Sequence, residues 1–165
     1  MSVENFSIGI TGASGFVGSN LIQQLLINGR YNIKAFSRFF SESISGIDQV
    51  KIVDICDSSH WNSMLAGLDC VIHTAARVHI MNDEAPNALD EFRKVNVHAT
   101  LDIAKAAAAV GVKRFIFISS IKVNGEETSS GLPFSPDARP ALAAAPATGS
   151  RPCRPWRCPP AHSPE

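Results

Sequence analysis

The chain has 165 residues, 45% of them apolar and 18% charged, which suffices for one domain with a buried core and is too few for two full-sized ones. Its 15 basic and 15 acidic residues cancel, so the overall charge points to no nucleic acid, anionic membrane or acidic partner. No apolar run approaches the roughly 20 residues of a membrane helix, and Met1 to Asn5 lacks a signal-like pattern, so the expected compartment is the cytoplasm.

Taken in chain order, Phe6 to Thr11 is a short apolar and β-branched run that predicts a strand. It stops at a glycine cluster that opens into a helical pattern over Phe16 to Asn28. Val17, Leu21, Leu25 and Leu26 share a stripe there, and Gly29 stands where a C-terminal cap glycine belongs. A second strand is expected at about 32–37, a third over Gln49 to Val53, a short helix over Ser58 to Ala66 capped by Ser58 or Ser59, and a fourth strand over Asp69 to Thr74. A long helix, with a break near Pro86, is expected from about Glu84 to Val110, ending at Gly111 before a fifth strand over Arg114 to Ser119. Apolar strands alternating with helices predict a parallel sheet covered on both faces.

After Ser120 the pattern changes. Eight of the ten prolines lie between Pro136 and Pro164, mixed with alanine and arginine and without helical or strand period, so residues 135–165 are expected to form a disordered tail behind a domain spanning 1–134. A domain of this kind continues with a further helix and strand, and the expectation is a truncated or frameshifted reading from about Arg139 onward. Cys56, Cys70, Cys153 and Cys158 form no C-x-x-C pair, and the first two lie in or beside strand-like segments. They are expected as packing residues, with no metal site.

Thr11 to Gly18 reads Thr-Gly-Ala-Ser-Gly-Phe-Val-Gly between the first strand and the first helix. Unpaired backbone N–H groups and the helix dipole favour an anion at a helix N-terminus, provided that no side chain blocks its approach. Gly12 permits the tight turn, Gly15 lets the backbone near a pyrophosphate, and Gly18 lets the helix pack closely. With the surrounding βαβ alternation, the motif predicts a dinucleotide-binding Rossmann-type fold, a doubly wound parallel sheet of about five strands in the order 3-2-1-4-5, left incomplete by the tail.

The Gly-x-x-Gly-x-x-Gly spacing resembles the extended short-chain dehydrogenase/reductase superfamily, and later segments agree. His73-Thr74-Ala75-Ala76 is similar to its His-x-Ala-Ala element and Asn96-Val97-His98-Ala99-Thr100 to its Asn-Val-x-Gly-Thr motif. Ser119-Ser120-Ile121-Lys122-Val123-Asn124-Gly125 resembles its Ser-Ser-x-x-Val-Tyr-Gly, with Asn124 in place of the usual tyrosine. The wording of this last segment is most similar to bacterial NAD-dependent epimerase/dehydratases, including UDP-glucose 4-epimerase-like proteins of surface-polysaccharide synthesis. The resemblance spans about residues 6 to 137.

The resemblance implies a cofactor site made by Gly12, Ser14, Gly15, Phe16, Val17 and Gly18, together with His73, Ala75, Ala76, Asn96 and Ser119. It also places Asp54 and Ile55 beside the adenine, although a strand-end Asp is equally a turn former. An acidic residue for the ribose 2′-hydroxyl is missing at the end of the second strand, where Phe36-Ser37-Arg38 stands. Arg38 suits a 2′-phosphate, or is an ordinary surface charge. The resemblance favours NAD, with NADP open.

Catalysis in the superfamily, by the same resemblance, joins a serine after strand five to a Tyr-x-x-x-Lys pair, the lysine lowering the phenol's pKa so that it exchanges a proton with the reacting hydroxyl. Ser120 matches the serine. The pair is not found: Tyr31 is the one tyrosine, and no lysine follows Lys122. His73, His79 and Lys122 do not suit as a substitute base, so the chain is expected to be inactive. The family activity implied is epimerisation or dehydration of a nucleotide sugar by transient hydride transfer. An NADP-dependent carbonyl reductase and a non-catalytic dinucleotide-binding module are the alternatives. The family dimerises through the long helix and the Tyr-Lys helix, of which only the first is present here.

Overall fold

In the computed structural model the described residues are 6–39, 46–77, 87–124, 128, 131–135 and 137. The chain divides into two units, Met1–Ile118 and Ser119–Glu165. The first carries five strands and the helices between them.

Strand β1 (Phe6–Thr11) lies at the centre of the sheet, with β2 (Tyr31–Ser37) and then β3 (Asp48–Lys51) on one side and β4 (Cys70–His73) and then β5 (Arg114–Phe117) on the other. All four pairings are parallel. This is the order 3-2-1-4-5 that the alternating pattern predicts. Strand boundaries fall within two residues of the expected ones, the largest differences being the ends of β3 at Lys51 and of β5 at Phe117.

Side chains alternate across each strand and both faces of the central strands are covered, so two cores form. Ile8, Ile10, Ile33, Ala35, Cys70 and Ile72 meet Ile22 of α1 (Phe16–Asn28), with Leu21, Leu25 and Leu26 packed against them. Val17, expected on that stripe, is exposed because it stands in the first turn, beyond the end of the sheet. On the opposite face Phe36, Val71 and Ile52 meet Trp61 and Leu65 of α2 (Trp61–Leu65) and Ile103, Ala106 and Ala107 of α4 (Thr100–Ala109). Gly9 faces this second core, where an added Cβ would stand 2.6 Å from Leu68 and 3.0 Å from Phe36.

Two expected helices differ. Helix α2 starts at Trp61, and neither Ser58 nor Ser59 caps it; the Asp57 carboxylate instead accepts bonds from Ser59 N–H (3.0 Å) and Ser59 Oγ–H (2.6 Å), which holds 57–59 as a turn. The long helix is three consecutive pieces: α3 (Ala88–Arg93), a π-helical turn over Lys94–Ala99, and α4. Its expected start at 84 and the break near Pro86 lie outside the described residues.

At the N-terminal edge of the sheet, Asp69 ties three strands together. Its Oδ2 accepts from Ser7 N–H (3.0 Å), its Oδ1 is 2.7 Å from the Lys113 ammonium, and its carbonyl accepts from Lys113 and Arg114 N–H. These partners hold the carboxyl below its ordinary pKa, the Lys113 bond most strongly.

In the second unit a 3₁₀ turn spans Ile121–Asn124, and Val123 N–H donates to the Ser120 carbonyl (3.1 Å).

Candidate functional site

The order of strands reverses between β1 and β4, and in open parallel sheets the crevice at the carboxyl ends of two such strands is where ligands sit. The glycine turn after β1 and the segment after β4 meet there. Gly12 has φ +70°, and a Cβ on it would lie 2.7 Å from Ala75 N, so the two backbones touch with no room for a side chain. A Cβ on Gly18 would lie 2.3 Å from the Gly12 carbonyl oxygen, so Gly18 seats α1 on the turn itself. Gly15 differs: its φ is −77°, open to any residue, and a Cβ would meet only Gly12 O at 3.2 Å. The fold demands the first and third glycines and leaves the second to keep the mouth of the turn clear.

Helix α1 opens at that mouth. Gly15 is its N-cap and offers no side-chain cap, and the first turn holds no acidic residue. The first bond of the helix is Ser19 N–H to Gly15 O (2.9 Å), so the amides of Phe16, Val17 and Gly18 have no partner available within the helix. Ser14, Gly15, Phe16 and Val17 are exposed. Amides without helical partners, a bare cap and glycines in backbone contact make a cradle that fits a diphosphate.

The segment Thr74–Arg77 forms the opposite wall and is fixed at three points. Thr74 Oγ–H donates to Thr11 O (2.7 Å). The Asn96 side chain closes a two-bond clamp on the backbone of residue 77, Oδ1 accepting from Arg77 N–H (2.7 Å) and Nδ2 donating to Arg77 O (2.9 Å). The Arg77 guanidinium stands over the Phe92 ring, 5.5 Å from its centroid. Asn96 belongs to the π-helical turn, where single wide turns re-aim side chains.

His73 lies behind both walls. Its side chain is 1% exposed, Nδ1 is 2.7 Å from Thr11 Oγ1, and Nε2 is 3.0 Å from Thr100 Oγ1. Thr100 Oγ–H donates to Asn96 O (3.1 Å), so its oxygen receives the Nε2 proton and Nδ1 accepts from Thr11. The ring is therefore the neutral Nε2–H form, and desolvation by burial lowers its pKa to about 4. Phe115 and Phe117 flank it with centroids 6.0 Å away. His73, expected in the cofactor site, has both ring nitrogens engaged inside the core, with Thr11 and Thr100. Asn96 likewise reaches the backbone of the wall.

Arg38 is exposed just past β2, with its guanidinium 5.9 Å from the Phe39 ring centroid. Asp54 is exposed, and its Oδ1 accepts from Cys56 N–H (2.9 Å), the turn-forming role left open above. Ile55 is half-buried and packs against the Trp61 cluster, which directs at least part of it inward. Burial raises the thiol pKa of Cys56 and of buried Cys70, as expected of packing cysteines. Ser119 and Ser120 are exposed and belong to the second unit. His79, Cys153 and Cys158 lie outside the described residues. Among the described residues no group of three or more His, Cys, Asp or Glu could hold a metal ion. Sequence reasoning missed the roles of Thr11, Thr74 and Thr100. The available signal is a threonine at a strand end beside each motif, and one four residues after Asn96.

Residues 8–149 match the family model described as the NAD dependent epimerase/dehydratase family. The chain belongs to this family. A UDP-glucose 4-epimerase of Vibrio cholerae is 43% identical over 128 residues, 78% of this chain and 39% of that protein. A short-chain dehydrogenase/reductase superfamily protein from Agrobacterium tumefaciens, solved with bound NAD, superposes with a TM-score of 0.69 at 30% identity, over 82% of this chain and 39% of that one. MoeE5 in complex with UDP-glucose and NAD gives 0.67 at 28% identity, over 82% and 42%. The chain thus spans about two fifths of the length of these relatives. No helix among the described residues is long and apolar enough to cross a membrane.

Proposed function

We propose that this chain binds NAD through its glycine turn, as the cofactor-binding part of a nucleotide-sugar epimerase or dehydratase. The observation that carries the reading is the cradle: Gly12 and Gly18 in forced backbone contact, and an uncapped α1 N-terminus with no acidic residue in its first turn. In this proposal the amides of Phe16, Val17 and Gly18 hold the diphosphate, while Ser14 and Gly15 flank it. Ala75 and Ala76 form the opposite wall, and Arg38, Asp54 and Ile55 border the adenosine. Residues 1–134 are the binding domain and 135–165 the tail.

When bound there, NAD would supply a hydride acceptor for a sugar carbinol. The Ser120 hydroxyl is the group of this chain proposed to hydrogen-bond the reacting oxygen, with Ser119 beside the nicotinamide. A carbinol gives up a hydride only as its hydroxyl proton leaves, which requires a base within hydrogen-bond reach. The sequence carries no tyrosine other than Tyr31 and no lysine after Lys122. We therefore propose that the chain binds cofactor without turning over sugar, and that its setting is cytoplasmic polysaccharide synthesis. The family resemblance implies dimerisation through the long helix and the Tyr-Lys helix; this chain retains only the first, where Leu89, Val97 and Leu101 are exposed, so no homodimer is proposed for it.

Calorimetric titration of the full chain with NAD and NADP tests the reading. Saturable binding of NAD supports it. Binding of NADP alone would favour the carbonyl-reductase alternative, for which exposed Arg38 is the specific observation. No heat with either, from a folded protein, sinks the proposal.

A further inference from the structure

The cradle has two walls, and neither sets its own position. The turn at Gly12 is continuous with Thr11 at the end of β1, and the Thr74–Arg77 segment with His73 at the end of β4. These ends are register partners, Thr11 opposite His73, and both side chains face the α4 side of the sheet. One directed chain of three bonds runs through them, Thr11 Oγ–H to His73 Nδ1, His73 Nε2–H to Thr100 Oγ and Thr100 Oγ–H to the Asn96 backbone carbonyl; the Asn96 side chain in turn accepts from Arg77 N–H and donates to Arg77 O.

From this geometry we infer that His73 is a positioning residue for the dinucleotide site, its doubly bonded neutral ring setting the spacing between the glycine turn and the Ala75–Arg77 wall. The inference rests on the NAD-binding reading above. The ring suits the task because it offers one acceptor and one donor at opposite edges of a rigid plane, which neither a phenyl ring nor an aliphatic side chain does. Its surroundings keep it in that form. The groups that meet it are the hydroxyls of Thr11 on β1 and Thr100 on α4 and the rings of Phe115 and Phe117 on β5, none of them charged. Gly12 lies so close to Ala75 that a displacement of either strand end alters the mouth directly. A phosphate held by fixed amides tolerates little of this, since binding geometry needs support to about 0.5 Å.

The test is NAD titration of full-length wild type, His73→Phe, Thr100→Val, the double variant, and His73→Gln, each with its melting temperature. His73→Phe keeps a planar ring and loses both bonds, while Thr100→Val keeps the shape and loses the relay. Each is expected to weaken NAD binding about tenfold, the scale of one lost buried hydrogen bond. Because they cut one chain, the double variant should lose no more than about tenfold, where independent effects would multiply to about a hundredfold. His73→Gln retains an acceptor and a donor and is expected to recover binding to within about threefold of wild type. In wild type, the ¹⁵N shifts of the ring, with Nε2 protonated and Nδ1 bare, should move on NAD addition, which a purely structural histidine would not show. Folded variants that bind NAD as wild type does, multiplicative losses, or unmoved ring shifts would overturn the inference while leaving the NAD reading intact. Absence of NAD binding by wild type overturns both. If His73→Phe does not fold, Thr100→Val and the ring shifts carry the decision.

Discussion

At the scale of single residues, the three glycines of the turn look alike in sequence and differ in what they do. Gly12 is held at φ +70° against Ala75, so Gly12→Ala should cost at least about 1–2 kcal/mol from the left-handed backbone alone and more from the 2.7 Å approach, seen as a lowered urea midpoint. Gly18→Ala meets the Gly12 carbonyl at 2.3 Å and should destabilise for a purely steric reason. Gly15→Ala is the informative contrast: with φ −77° and an open mouth it should melt within a few degrees of wild type yet bind NAD at least about tenfold more weakly, which calorimetry would read. A variant that binds normally would show that the second glycine does not face the ligand. The turn was legible because glycine spacing between a strand and a helix leaves few alternatives. His73 was legible as a motif member but not in its role, since the same letters serve a ligand contact or an internal strut. Only the partners at its two nitrogens separate these, and they come from positions 62 and 27 residues away.

At the scale of elements, strands were easier to read than helices. A strand buried on both faces is a continuous apolar run with turn residues at each end, and β1 and β4 show this plainly; β5 carries a similar apolar run at the edge of the five-stranded sheet, where Ile116 and Phe117 are exposed. Helix α2 has five residues and no side-chain cap, so local propensity cannot account for it. Trp61 anchors it: the ring is 1% exposed, packs edge-on to Phe36 with centroids 5.6 Å apart, and reaches Ile55 O through Nε1 at 3.4 Å. Trp61→Ala should cost about 3–5 kcal/mol in urea unfolding, the range for deleting a large buried aromatic side chain. A cost under about 1 kcal/mol would mean that the α2 layer contributes little to the core. The π-helical turn over Lys94–Ala99 was not legible, because apolar periodicity of 3.6 continues on either side of it. Its logic is tertiary, in the clamp of Asn96 on the backbone of residue 77.

At the scale of the whole molecule, the groups whose proton affinity the fold lowers bend the stability curve in one direction. The His73 ring titrates at about 4 in the fold against an ordinary value near 6.5, so the unfolded chain binds more protons than the folded one throughout that interval. Stability from its neutral burial is therefore full above about pH 6.5 and is lost as pH falls toward 4. Asp69, held below its ordinary range by Lys113 and Ser7, acts with the same sign at lower pH: its contribution is present above the unfolded carboxylate value and lost as pH drops through the folded one. Urea unfolding at half-unit steps should then show free energy falling by about 3 kcal/mol between pH 6.5 and 4, close to one proton taken up per molecule on unfolding. His73→Gln should flatten that interval and leave the more acid fall in place, because glutamine keeps two hydrogen-bonding edges and cannot titrate. A wild-type curve flat from pH 6.5 to 4 would mean that the ring is charged or solvated in the fold. The relay from Thr11 to Asn96 could not then run in the direction drawn, since a protonated imidazole has no acceptor to offer Thr11.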